Sequence, residues 1–165
     1  MITEGTGVWL YLSEHERILV GDGAFLVRDS ENHQDEEPTD YSYLVFPYAK
    51  LYEGFLKDLF LELSIISKRE YNSKYFRIGK VLSPNLVKRL GKRSAYGVIT
   101  HRFGNELADT LWHTWKEGRN LIFHYFPGTV RVLSRREAIA IIDTIQLTME
   151  LAVEKTNAFH ASKKT

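Results

Sequence analysis

Cysteine is absent from the 165 residues. This excludes disulfides, a thiolate zinc site and a thiol nucleophile. Long apolar runs are missing too: no stretch approaches the roughly 18 uncharged apolar residues of a membrane span. The amino terminus carries no basic region followed by an apolar segment, so no export signal is expected. Together these absences predict a soluble, cytoplasmic protein with no membrane partner. A third shortage is local. Residues 66–102 hold ten Lys and Arg but a single acid, Glu70, while residues 1–40 hold ten acidic side chains against two basic ones. The net charge of +1 hides this polarity. One end of the chain repels phosphates and the middle attracts them.

At 44% hydrophobic residues, the chain can build one proper core and is too short to argue for two. We therefore expect a single domain over residues 1–165. From Tyr48, apolar side chains recur at Leu51, Tyr52, Phe55, Leu59, Leu63 and Ile66, the spacing of a long helix with one buried stripe. Pro47 fits its first turn, leaving residues 40–46 as an extended lead-in or a kinked earlier part of the same helix. Ser83-Pro84 predicts a two-turn helix ending near Gly91. Asn105 is a candidate cap for a helix through Leu107, Leu111, Trp112, Trp115, Leu121, Ile122 and Phe126, stopped by Pro127-Gly128. Ser134-Arg135-Arg136-Glu137 reads as a capping box opening a helix to about Thr156. The acidic segment 1–38 fits helix or hairpin, helix being preferred, with residues 32–38 a surface loop and 160–165 a frayed tail. The expected class is all-α, a small bundle of four to six helices.

One stretch of this frame, GRNLIFHYFP from Gly118 to Pro127, places an Arg, an Asn and a His in an otherwise apolar run. Gly118 weakens a helix by roughly 1 kcal/mol relative to Ala, which hints at a close approach or a bend. In a straight helix, residues four apart point within about 40° of each other and five apart differ by about 140°. Asn120 and His124 would then share a face, with Arg119 reaching round on its long stem. An imidazole titrating near neutrality can move a proton, and a guanidinium can hold phosphorane charge, so the trio suits cleavage of an RNA phosphodiester without a metal. One His cannot easily serve as both base and acid. Two copies facing each other in a homodimer would complete the set.

Arg119-Asn120-Leu121-Ile122-Phe123-His124 is an R-N-x-x-x-H motif, and it resembles that of the HEPN superfamily of ribonucleases. With the Phe46-Pro47 and Glu53-Gly54-Phe55-Leu56-Lys57 runs, it most resembles the toxin domain of RNase LS-type toxin–antitoxin systems, over roughly residues 41–154. The resemblance implies a helical bundle, a homodimer and metal-independent cleavage of RNA to a 2′,3′-cyclic phosphate and a 5′-hydroxyl. It also implies a protein antitoxin that covers the site. It assigns His124 as general acid or base, Arg119 to the transition-state phosphate, Asn120 to orienting it, and a Glu on the earlier helix to positioning these groups. Glu53 matches that place, with Glu62 the competitor. A related branch carries Tyr two places after the His, where its antitoxin modifies it; here Tyr125 follows directly, which turns the hydroxyl by about 100° on a helix and puts that route in doubt.

Plainer readings stand beside these. A His in an apolar helix can be a hydrogen-bonded core residue, and Arg119 with Glu53 can be an ion pair that fixes helix registry. A non-catalytic helical module binding a partner protein or a nucleotide is the alternative function. The basic segment, with Lys68, Arg69, Lys74, Arg77, Lys80, Lys92 and Arg93 among Tyr71, Tyr75, Phe76 and Tyr96, suits phosphate contact and base stacking on single-stranded RNA, or is a solvated surface. Trp112 and Trp115 follow the apolar stripe as core or interface aromatics. His15, His33, His101 and His113 show no metal-ligand spacing, no cofactor is expected, and Gly21-Asp22-Gly23 lacks the context of a nucleotide loop.

Overall fold

The apolar stripe beginning at Tyr48 belongs to the helix on which the others pack. In the computed structural model, which describes residues 2–32, 38–124, 127 and 131–156, nine α-helices are formed and no strand occurs among the described residues. They are α1 (Gly7–Tyr11), α2 (Glu14–Asn32), α3 (Ser42–Glu62), α4 (Lys68–Tyr71), α5 (Ile78–Val81), α6 (Val87–Leu90), α7 (Ala95–Phe103), α8 (Asn105–Trp115) and α9 (Arg135–Thr156). Four of these are one-turn segments; the other five form the expected all-α bundle. Residues 33–37 and 157–165, where a surface loop and a frayed tail are expected, lie outside the described residues, as do Tyr125, Phe126 and Gly128.

Helix α3 buries Leu44, Tyr48, Leu51, Tyr52, Phe55, Leu56, Leu59 and Phe60. It packs against α2 on one side and α9 on the other. Pro47 lies inside it, so residues 42–46 are the earlier part of the same helix. The helix stops at Glu62, short of the expected Ile66. Ser64 takes a left-handed φ of 56°, and the amides of Ile65 and Ile66 both bond the Phe60 carbonyl at 2.8 and 3.2 Å. Ile66 is still buried, but from a turn.

The amino-terminal segment is helical and packs on the bundle. Gly23 lets α2 meet α3 closely: a Cβ there would strike the ring of Tyr48. The Ile2 amide donates to Gln146 on α9. Buried polar links tie the remaining helices. The Tyr52 hydroxyl donates to the Leu111 carbonyl at 3.0 Å, and the hydroxyls of Thr114 and Thr148 share a 2.8 Å bond between α8 and α9. The Ser134 box is formed as expected, its amide and hydroxyl both donating to the Glu137 carboxylate at 2.8 and 2.6 Å.

Two expectations for the third helix are corrected. Its cap is Gly104, whose φ of 94° joins α7 to α8 through one residue; Asn105 is already helical and its side chain makes no cap bond. The helix also ends long before Phe126. After Trp115 the chain widens into a π-turn, Lys116–Asn120, closed by the Leu121 amide on the Lys116 carbonyl at 2.9 Å. Gly118 packs closely there: a Cβ on it would lie 3.1 Å from Ile145 of α9. The bend foreseen at Gly118 is this turn.

Candidate functional site

The π-turn turns the end of α8 toward α3. Its consequence is the meeting of Arg119 with Glu53: Nη2 donates to Oε2 at 3.2 Å, and each side chain is about one-third exposed, 32% and 33%. The Arg119 guanidinium also rests over the Trp115 ring, 5.1 Å from its centroid, a contact that holds the charged plane in place. Trp115 is itself fixed by Gly79 of α5, where a Cβ would come within 2.7 Å of the indole nitrogen. A sequence separation of 66 residues is thus bridged by three elements, α3, α5 and the π-turn.

Asn120 and His124 do not share a helical face. Asn120 closes the π-turn and His124 lies beyond the helix, in irregular chain. They meet all the same around one cavity of about 480 Å³, lined by Glu53, Lys57, Lys74, Arg77, Trp115, Arg119, Asn120 and His124 among others. His124 is exposed to solvent rather than shut in the core. Four permanent cations against the one carboxylate of Glu53 give this cleft a field that draws phosphate in. A second opening of about 280 Å³ shares Glu53, Arg119 and His124 and extends past Phe46, Lys50 and Phe123. Phe46 and Phe123 meet there edge to face, 5.7 Å between centroids, and both stay exposed at 56% and 36%.

Of the seven basic residues singled out in the sequence, Lys74 and Arg77 line the cleft with His124. Lys80 and Arg93 line an adjoining cavity of about 300 Å³. Lys68, Arg69 and Lys92 are exposed and stand outside these three cavities. Lys57 and Trp115 also line the cleft, which the sequence reading did not foresee. Lys57 sits one turn after Glu53 and Trp115 one turn before Arg119, so helical spacing from the motif would have found both.

Glu62, the competing carboxylate, is elsewhere. It belongs to an acidic pocket between α2 and the end of α3, with Glu16, Asp58, Tyr11 and Tyr71. Burial, with Asp58 nearby, raises the Glu62 carboxyl above the ordinary range, opposed by a bond from Tyr11. Glu16 is 7% exposed; burial raises its carboxyl too, and Asp58 adds to this against two bonds from Ser13. Burial and Glu62 push the Tyr11 hydroxyl upward. A bond to Asp58 and burial push Tyr71 up to about 12. Oε1 of Glu16 and Oε1 of Glu62 are buried without a hydrogen-bond partner. Among the described residues no three His, Asp or Glu come together as a metal-holding group.

No protein-family model, curated protein or solved structure matches the chain. No described helix is long and apolar enough to cross a membrane.

Proposed function

We propose that the protein is a metal-independent endoribonuclease of the HEPN kind, working as a homodimer and acting as the toxin of a toxin–antitoxin or anti-phage system. The observation that carries this reading is the convergence of Arg119, Asn120 and His124 with Glu53 on one solvent-open cleft that holds three further cations. His124 takes the proton of a 2′-hydroxyl; the 2′-oxygen attacks phosphorus, and the 5′-oxygen departs. The imidazole of the second copy protonates that leaving oxygen. Products are a 2′,3′-cyclic phosphate and a 5′-hydroxyl, so no water or metal enters the balance. Arg119, preset by Glu53 and Trp115, receives the charge that builds on the non-bridging oxygens. A protein antitoxin that covers the cleft is the fitting neutraliser.

The decisive experiment is incubation of purified protein with end-labelled RNA in EDTA, with mass analysis of the new termini. Cleavage to cyclic-phosphate ends, lost in His124→Ala, is expected. Full-rate cleavage by His124→Ala removes this residue from the mechanism. A wild type inert on RNA and harmless when overexpressed leaves the partner-binding module as the better account. The Arg119–Glu53 pair would then be a registry lock.

A further inference from the structure

The cavity beside the cleft has no part in the chemistry above, yet it is built from the same kind of surface. Its wall toward the cleft is formed by Phe76 and Arg77, which line both spaces. Nη1 of Arg77 donates to the carbonyls of Lys74 and Phe76 at 2.9 and 3.2 Å, so the guanidinium is pinned on the shared rim. Lys80 and Arg93 complete the basic lining. Arg93 is paired with Glu70 at 2.9 Å, which leaves Arg77 and Lys80 as the net positive charge. Tyr75 stands at the mouth, 75% exposed, with the Lys74 ammonium 5.4 Å from its ring centroid. A large aromatic left this open beside fixed cations offers a stacking face next to a phosphate site. The volume of about 300 Å³ lies at the small end of ligand pockets, which run from roughly 300 to 1,000 Å³. One nucleotide fills such a space.

We infer that this cavity is a nucleotide subsite. Single-stranded RNA leaving the cleft is held there by a phosphate on Arg77 and Lys80 and a base stacked on Tyr75. The inference rests on the ribonuclease reading and extends it: the substrate is unpaired RNA, because a base in a duplex cannot present its face to Tyr75. Recognition by stacking and charge is tolerant of base identity.

The test uses the full-length protein and a fluorescent RNA hexamer with every 2′-hydroxyl methylated, which blocks cleavage while binding is read by anisotropy. Tyr75→Leu and Lys80→Ala are each expected to weaken binding three- to tenfold, with Tyr75→Phe restoring wild-type affinity. Lys80→Ala should lower the salt slope by about one, whereas Tyr75→Leu should leave it unchanged. Lys92→Ala, removing an exposed cation outside the cavity, should change affinity less than twofold. Wild-type binding by Tyr75→Leu, or an equal loss in Lys92→Ala and Lys80→Ala, overturns the subsite. In both cases cleavage of unmodified RNA by the wild type still upholds the catalytic reading. Binding that shows the expected pattern without any cleavage upholds the subsite and sinks the catalysis instead.

Discussion

Helix α3 presents carboxylates on two sides, and the two sides behave in opposite ways. Toward the cleft, Glu53 meets a guanidinium and stays one-third exposed. Toward α2, Asp58 lies near both Glu62 and the Glu16 of α2, with Tyr11 and Tyr71 beside them, and burial lifts Glu16 and Glu62 above the ordinary carboxyl range. The first arrangement sets a carboxylate oxygen 3.2 Å from the Arg119 guanidinium. The second suppresses charge, at a cost to folding wherever the carboxyls must ionise. Position along one helix says little about a carboxylate's role; the partner opposite decides it.

The largest expected effect lies on the cleft side. Arg119→Ala should lower RNA cleavage by about 10²- to 10³-fold, the size seen when a preset transition-state donor is removed. Glu62→Gln should stay within twofold in the same assay, and a comparable loss there would erase the distinction. Next comes the seam joining the two sides. Gly23→Val forces a side chain into the Tyr48 ring and should cost about 1–3 kcal/mol in urea unfolding, the usual range for overpacking.

A smaller effect is expected in the acidic pocket. A carboxyl raised in the folded state binds more protons there than in the unfolded chain. Stability therefore falls as pH rises from the ordinary carboxyl range through the raised value. Glu16→Gln keeps an acceptor for Ser13 and removes the buried charge. It should stabilise the protein by about 1 kcal/mol at pH 8 and flatten the fall in stability above the ordinary carboxyl range, measured by thermal unfolding. Smallest is the fold's dependence on the cleft pair. Glu53→Gln should alter stability by less than about 0.5 kcal/mol, since a partly exposed ion pair contributes little, while cleavage falls severalfold. A larger loss of stability than of activity would return the pair to a purely structural role.

Much of this frame was legible in the chain. Helix α9 was readable because Ser134 and Glu137 form their box from local residues alone, and α3 because Tyr48, Leu51, Tyr52, Phe55 and Leu59 keep one period. The end of α8 was not. Leu121 and Ile122 continue the apolar rhythm whether the chain is helical or turning, so periodicity cannot register a π-turn whose Gly118 packs on Ile145, 27 positions later. Arg119, Asn120, His124 and Glu53 line one cleft, but the shared helical face expected for Asn120 and His124 does not exist, and the cleft gathers them instead. Lys74 and Arg77 could not be separated from Lys68, Arg69 and Lys92 by composition, because only the fold decides which cations face inward.

The five residues from Lys116 to Asn120 span one turn that an ordinary helix makes with fewer. Deleting a single amino acid there would let the backbone relax to regular winding. The position of Arg119 relative to Glu53 would then be reset, because the turn that carries the guanidinium has one residue fewer. A one-codon edit could thus reset the Arg119–Glu53 contact while leaving α3, α8 and α9 in sequence as they are.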